Sequence, residues 1–215
     1  MSTVNPAFIE IVQRLPKADL HCHLDGSLRP STLLELSVER GLALPESTAS
    51  ALGAWMRVDD ARHLEDYLAR FEVTLAAMQD AVALERIAHE FVLDAALDGV
   101  RYIEARFCPA LNVRRGLSLD EVMQAVLRGL ARGQKETGTL ARVIVCALRS
   151  VAWPHALEMA ELAVAFQGKG VVAFDLAGGE LGNPASDHAL AFDFARQHDL
   201  AVTVHAGEGD GPASI

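Results

Sequence analysis

No two cysteines stand at a C-x-x-C spacing, and only three occur: Cys22, Cys108 and Cys146. All three fall in apolar, strand-like runs, which argues against a cysteine zinc knuckle and against a disulfide framework. Reduced thiols in a cytoplasmic protein are the simple expectation. Basic residues are short as well: 19 Lys and Arg against 29 Asp and Glu leave a formal net charge of -10. Affinity for DNA or RNA comes largely from Lys and Arg neutralising phosphates, so nucleic acid is not an expected partner and a small neutral or cationic ligand is. No apolar run approaches the roughly 20 residues needed to span a bilayer, so no membrane association is expected either. The leading segment, Met1 to Pro16, carries Glu10 inside a helix-like pattern and has no basic stretch ahead of an apolar core, which reads as the absence of a secretion signal. There is no repeat, low-complexity tract or interdomain linker.

What is present is ample apolar material, 51% of 215 residues, enough for a sizeable core in a soluble chain that reads as one domain over 1-215. Apolar residues recur at helical spacing from Asn5 to Leu15 and stop at Pro16. Pro30 to Gly41 is a helix signalled at both ends, residues 42 to 60 are loop-like, and Ala61 to Gly99 reads as two helices with Leu64, Tyr67, Leu68, Phe71 and Leu75 on one stripe. The period then changes. Strands are predicted at 99–107, 141–148, 171–176 and 201–205, separated by helices over 118–135, opened by the Ser118/Glu121 capping box, and over 154–166 and 184–198. Strand and helix alternate throughout, which implies a parallel α/β sheet with right-handed crossovers. The alternation fits a doubly wound sheet or a (β/α)₈ barrel of the TIM type.

Asp19-Leu-His-Cys-His-Leu-Asp25 is the first stretch that carries chemistry. On a strand, His21 and His23 point the same way and Cys22 the other, so two imidazoles can grip one metal ion, Zn²⁺ being well suited. Taken alone, the pair is equally a chance His-x-His on a half-buried strand. Val204-His-Ala-Gly-Glu208 supplies a third histidine, His205, at the end of the fifth strand, with Glu208 just beyond a glycine. His21, His23, Asp25, Arg106, Asp175, His205 and Glu208 all lie at or just past the C-terminal ends of predicted strands, where such barrels build their sites. Three histidines with room for water make a catalytic rather than a structural zinc set. Gly207-Glu-Gly-Asp-Gly211 looks like a phosphate-cradling loop but lacks the spacing and the following Lys. His63, His89, His155, His188 and His198 read as surface or helix-end residues.

Four motifs in order, Pro16-Lys-Ala-Asp-Leu-His-Cys-His-Leu-Asp-Gly-Ser-Leu-Arg-Pro30, Tyr102-Ile-Glu-Ala-Arg-Phe-Cys-Pro109, Asp175-Leu-Ala-Gly178 and Thr203-Val-His-Ala-Gly-Glu208, resemble the adenosine deaminase family of the amidohydrolase superfamily. The resemblance runs over essentially the whole chain. It implies a (β/α)₈ barrel of the metallo-dependent hydrolase kind, of which this chain carries about the first five strands. It also implies one Zn²⁺ per subunit and hydrolytic deamination of adenosine or 2′-deoxyadenosine at purine C6, giving inosine or 2′-deoxyinosine plus ammonia. His21, His23 and His205 would ligate zinc, with His23 also near substrate; Asp25 would bind the ribose 5′-hydroxyl. Gly178 would line the purine N3 side, and Glu208 would share a proton with purine N1, a role that a closed pocket favours. Asp175 is either an orienting partner of a ligand histidine or a barrel-interior salt bridge. Leu64, Tyr67 and Phe71 align with the family's hydrophobic lid or belong to the core, and Cys108 stands beside the site or is a buried small hydrophobe.

The family continues for three more strands, bearing a histidine and two aspartates that this chain does not match. Three functional readings follow: an adenosine deaminase; a deaminase of adenine or a modified adenine nucleoside, against which Asp25 speaks because base-deaminating relatives carry Glu there; and an inactive zinc-binding fragment or interaction module. The sequence leaves the oligomeric state open.

Overall fold

A computed structural model describes residues 5–59 and 61–215. Residues 1–4 and 60 lie outside the described ones, so the reading of the leading segment is met only from Asn5 onward, and that of the 42–60 segment only to 59. Five strands, β1 (Lys17–His23), β2 (Val100–Phe107), β3 (Leu140–Leu148), β4 (Val171–Ala177) and β5 (Ala201–Val202), form one sheet in the order β1-β2-β3-β4-β5, every pairing parallel. The order separates the two architectures that alternation left open. A doubly wound sheet reverses direction at a switch point, whereas a barrel wall adds strands in sequence, as these five do.

Short polar signals start several of the helices. The first, α1 (Pro6–Arg14), is capped by Asn5, whose side chain accepts from Ala7 N at 3.0 Å; its apolar Phe8 and Ile11, and Leu15 just after it, are exposed. After β1 comes α2 (Pro30–Arg40). The stretch read as loop holds a further helix, α3 (Ala49–Met56), started by Thr48 accepting from Ala51 N at 3.2 Å. The two helices expected before β2 are three: α4 (Leu64–Leu68), α5 (Phe71–Ala77) and α6 (Ala81–Leu97). The last break falls at Asp80, whose carboxylate caps α6 through Ala83 N at 2.9 Å. The Ser118/Glu121 box opens α7 (Leu119–Thr137) as predicted, with Ser118 Oγ accepting from Glu121 N and Glu121 accepting from Ser118 N. Next come α8 (Trp153–Ala165), a 3₁₀ turn at Ala185–His188 and α9 (Ala189–Gln197). No described helix is long and apolar enough to cross a membrane.

The core lies between the sheet and these helices. Phe107, Val143, Val145, Phe174 and Leu176 from the strands meet Leu84, Ala88, Val92, Met123, Met159 and Ala160 from the helices, all essentially buried. Near-continuous burial along β3 and β4 is what a parallel strand covered on both faces requires. Helices α6 and α7 approach closely because Gly129 and Gly133 share a face: a Cβ added at Gly129 would lie 2.2 Å from the Glu85 carbonyl oxygen and 2.8 Å from Ala88 Cβ. A mid-helix Gly→Ala change gains ~1 kcal/mol of helix propensity, but overpacking costs about 1–3 kcal/mol and rises when the obstacle is backbone. Gly129→Ala is therefore expected to destabilise the protein by about 2 kcal/mol. An unchanged or higher midpoint in urea denaturation would show that the helices separate freely.

Two histidines are not at the surface, although His188 does stand at a helix end, as the N-cap of α9. His89 and His188 are buried: His89 Nε2 lies 2.9 Å from Glu136 Oε2, and His188 Nε2 lies 3.1 Å from the Arg149 carbonyl oxygen. His63 and His198 are exposed as expected, and His155 is half-buried.

Candidate metal centre and active site

β1 brings His21 and His23 to one side even though its ladder is irregular. Pairing with β2 jumps from Asp19↔Ile103 to Cys22↔Ala105, so three steps along β1 match two along β2. The Leu20 carbonyl within this irregularity accepts instead from Arg106 Nη2 at 2.7 Å. His21 lies within the irregularity and His23 beyond it, yet both side chains line the same cavity. His205 arrives from the other end of the sheet. β5 is regular only over Ala201–Val202, yet Thr203 N and His205 N still donate to Phe174 O and Leu176 O, at 2.9 and 3.1 Å, which carries the strand direction through to the histidine.

The three Nε2 atoms converge. His205 Nε2 lies 2.9 Å from His21 Nε2 and 3.1 Å from His23 Nε2, and the three residues form a group able to hold a metal ion. Tetrahedral ligands at the usual Zn–N length of ~2.0–2.1 Å stand about 3.3 Å apart, close to these spacings. Protonation states suit the same role. Burial, reinforced by neighbouring positive groups, lowers His21, and it brings His23 down to about 4, so both are neutral donors at ordinary pH. His205 Nδ1 lies 3.0 Å from Asp175 Oδ2, which turns Nε2 toward the cluster.

Asp175 meets both partners that the sequence left open, a cluster histidine and a buried cation. The same Oδ2 accepts from Arg106 Nη1 at 3.0 Å, with both side chains buried. Burial alone would push the Asp175 carboxyl up, but His205 and Arg106 outweigh it and hold the group below the usual carboxylate range. One carboxylate thus orients His205 and neutralises a guanidinium inside the sheet.

A cavity of ≈ 740 Å³ opens over the cluster, within the size range of small-ligand sites. His21, His23, Asp25, Gly178, His205 and Glu208 all line it, as do Leu64, Tyr67, Phe71 and Cys108; Asp175 does not. Asp25 is 6% exposed, and among the described residues its Oδ1 has no hydrogen-bond partner, His23 Nδ1 being 3.9 Å away. Burial pushes its carboxyl up to about 7. A buried acceptor left over at a cavity wall is a place for a ligand's hydroxyl. Gly178 adopts φ +97°, strained for any L side chain, while an added Cβ would meet nothing closer than 3.7 Å; glycine is required there by backbone shape.

Three expectations need adjustment. Glu208 is exposed at the cavity mouth rather than enclosed. Leu64, Tyr67 and Phe71 are not core: Tyr67 is 39% exposed, and its ring meets Phe71 edge-on with centroids 5.2 Å apart on the cavity wall. Cys108 is both buried and beside the site, and burial pushes its thiol up to about 12, so it stays protonated. Arg149 and Glu180, to which the sequence reading assigned no role, form a buried pair beside the loop that carries Glu208. The only signal for them was position at the ends of β3 and β4.

The "Adenosine deaminase" family model matches residues 16–215. Adenosine deaminase of Mycobacterium avium is 46% identical to this chain, the match covering 98% of the chain and 59% of that protein. Among solved structures, an Arabidopsis N6-mAMP deaminase superposes with a TM-score of 0.81 at 31% identity, covering 95% of this chain and 63% of that one. An adenine deaminase from Arthrobacter aurescens gives the same TM-score at 27% identity, covering 93% and 59%. The chain thus spans about three fifths of the length of the relatives it matches. With the motifs, the sequential parallel sheet and the family model in agreement over nearly all its residues, the chain belongs to the adenosine deaminase family.

Proposed function

We propose that the protein deaminates adenosine or 2′-deoxyadenosine hydrolytically, using one zinc ion held by His21, His23 and His205. The observation that carries this reading is the convergence of three imidazole nitrogens at 2.9 and 3.1 Å beside a nucleoside-sized cavity. A bound Zn²⁺ would lower the pKa of water toward ~7 and so supply a nucleophile at neutral pH. The chain's own residues supply the rest. Asp25 takes the 5′-hydroxyl on its unpartnered Oδ1, which fixes the sugar and turns the base inward. Gly178 lines the base through backbone alone. Glu208 holds a proton at purine N1 while the ring accepts the nucleophile, and the amine leaves as ammonia. Tyr67 and Phe71 cover the apolar face of the nucleoside, and residues 1-215 act as one domain, five strands of an eight-stranded barrel.

A second reading, a base or a modified adenine nucleoside or nucleotide as substrate, is favoured by the equal structural likeness to the adenine and N6-mAMP deaminases. The experiment is a substrate panel with the zinc-loaded protein in its full natural length: adenosine, 2′-deoxyadenosine, adenine and N6-methyl-AMP, followed by released amine. Turnover of the nucleosides supports the first reading and turnover of adenine or N6-methyl-AMP the second. Release from none of them leaves a zinc-binding module and overturns both.

A further inference from the structure

The run Gly207-Glu-Gly-Asp-Gly211 has the look of an anion-binding loop, and the structure shows which anion it binds. The Glu180 carboxylate accepts from Gly207 N at 2.8 Å and Ser214 Oγ at 2.7 Å on Oε1, and from Gly209 N at 2.7 Å and Asp210 N at 3.1 Å on Oε2. Three backbone N–H groups of one loop therefore point at a carboxylate from the end of β4, the concave arrangement that elsewhere receives phosphate. The Ser214 hydroxyl and these amides pull Glu180 down to about 2, so it is a permanent anion at any working pH. Arg149 backs it: Nη2 lies 3.7 Å from Oε1 and donates to the His205 carbonyl, while Nη1 donates to Asn183 O at 3.0 Å. Glycine lets the loop come this close, since a Cβ on Gly209 would lie 3.1 Å from Leu64 Cδ2 and 3.4 Å from Glu180 Cβ.

Glu208 sits between the held amides. Gly207 and Gly209 are both fixed by Glu180, one on each carboxylate oxygen, while the Glu208 side chain remains exposed on the cavity. We infer that Glu180 is a positioning residue: its buried carboxylate clamps the backbone on both sides of Glu208 and so holds that side chain over the cavity at working distance from the histidine cluster. The inference rests on the deaminase reading for what Glu208 does, but the clamp itself does not. Glutamine at 180 has one acceptor oxygen and turns an N–H₂ toward N–H donors, so it cannot hold both sides.

In the full-length zinc-loaded protein, Glu180→Gln is expected to lower kcat on adenosine by roughly 10- to 100-fold, the scale of a ~1 Å misplacement, with KM within about twofold. Zinc content should be unchanged, because His205 is oriented by Asp175, and amide exchange over residues 207–210 should speed up. Gly209→Ala keeps the Glu180–Arg149 pair and guards against a Glu180 variant that fails to fold; it is expected to show the same split more weakly. Unchanged exchange in both variants would overturn the clamp. Faster exchange with kcat unchanged would overturn the positioning of Glu208, as would zinc and KM failing together with kcat. A parent protein that turns over no purine would sink the deaminase reading and the catalytic part of this inference with it, while the exchange comparison would still decide the clamp.

Discussion

His205→Ala is expected to strip the zinc from the protein and abolish amine release with it. Metal free energies of about 10–16 kcal/mol spread over four ligands give roughly 3–4 kcal/mol per ligand, so losing one imidazole weakens zinc by roughly 10²–10³-fold. Among the three, His205 is the informative position. It alone bridges β5 to the pair on β1, and it alone is tied through Asp175 to Arg106, so its removal breaks the cluster and leaves a buried carboxylate with one partner fewer. The measurement is zinc per chain after dialysis against a weak chelator, together with the zinc-dependent rise in Tm that binding to the folded state produces. Parent protein should keep one zinc and the thermal shift, and the variant should lose both. A variant that kept one zinc per chain would place the metal elsewhere and would remove the basis of the proposed mechanism.

The histidine cluster was legible in the sequence because its signal is local. Period-two alternation puts His21 and His23 on one side, and the irregularity in β1, although it includes His21, leaves both side chains lining the same cavity. His205 was legible as a strand-end histidine, although only two residues of β5 pair regularly, since its direction comes from single backbone bonds to Phe174 and Leu176 that continue the ladder. Strand order was not legible: alternation of strands and helices is common to both α/β architectures, and pairing partners are a property of the whole sheet. Helix α3 was missed because its signal, Thr48 before an Ala-rich run, is weaker than the breakers around it.

Glu180 and Arg149 were hidden for a different reason. Their partners are backbone amides and carbonyls 27 to 56 residues away, and backbone groups leave no mark in side-chain identity. His188 is the same case: it reads as a helix-end histidine until the Arg149 carbonyl is found beside it. Side-chain pattern reports faces and spacing, whereas the polar groups that hold loops around a site are chosen by tertiary approach. The glycine-rich run after β5 was set aside as a phosphate cradle for want of the spacing and the Lys, and its amides turn out to receive a carboxylate of the chain itself.

Glu208→Gln separates chemistry from scaffold. The side chain is exposed, so an isosteric amide is expected to change stability by no more than about 0.5 kcal/mol and to leave zinc in place. The amide can neither give nor take the proton that N1 needs, and loss of general acid–base catalysis costs typically ~10²–10⁴-fold, so kcat for ammonia release should fall by that factor while KM stays close to the parent value. Comparison with Glu180→Gln then resolves the two glutamates. Both variants lose kcat, but amide exchange over 207–210 should rise only when Glu180 is changed, since Glu208 holds nothing in the loop. The double variant should be little worse than Glu208→Gln alone, because a clamp has no catalytic value once the group it positions is gone. A Glu208→Gln protein retaining more than about a tenth of parental turnover would assign the proton transfer to another residue, and additive losses in the double variant would show that Glu180 acts on the reaction by some other route.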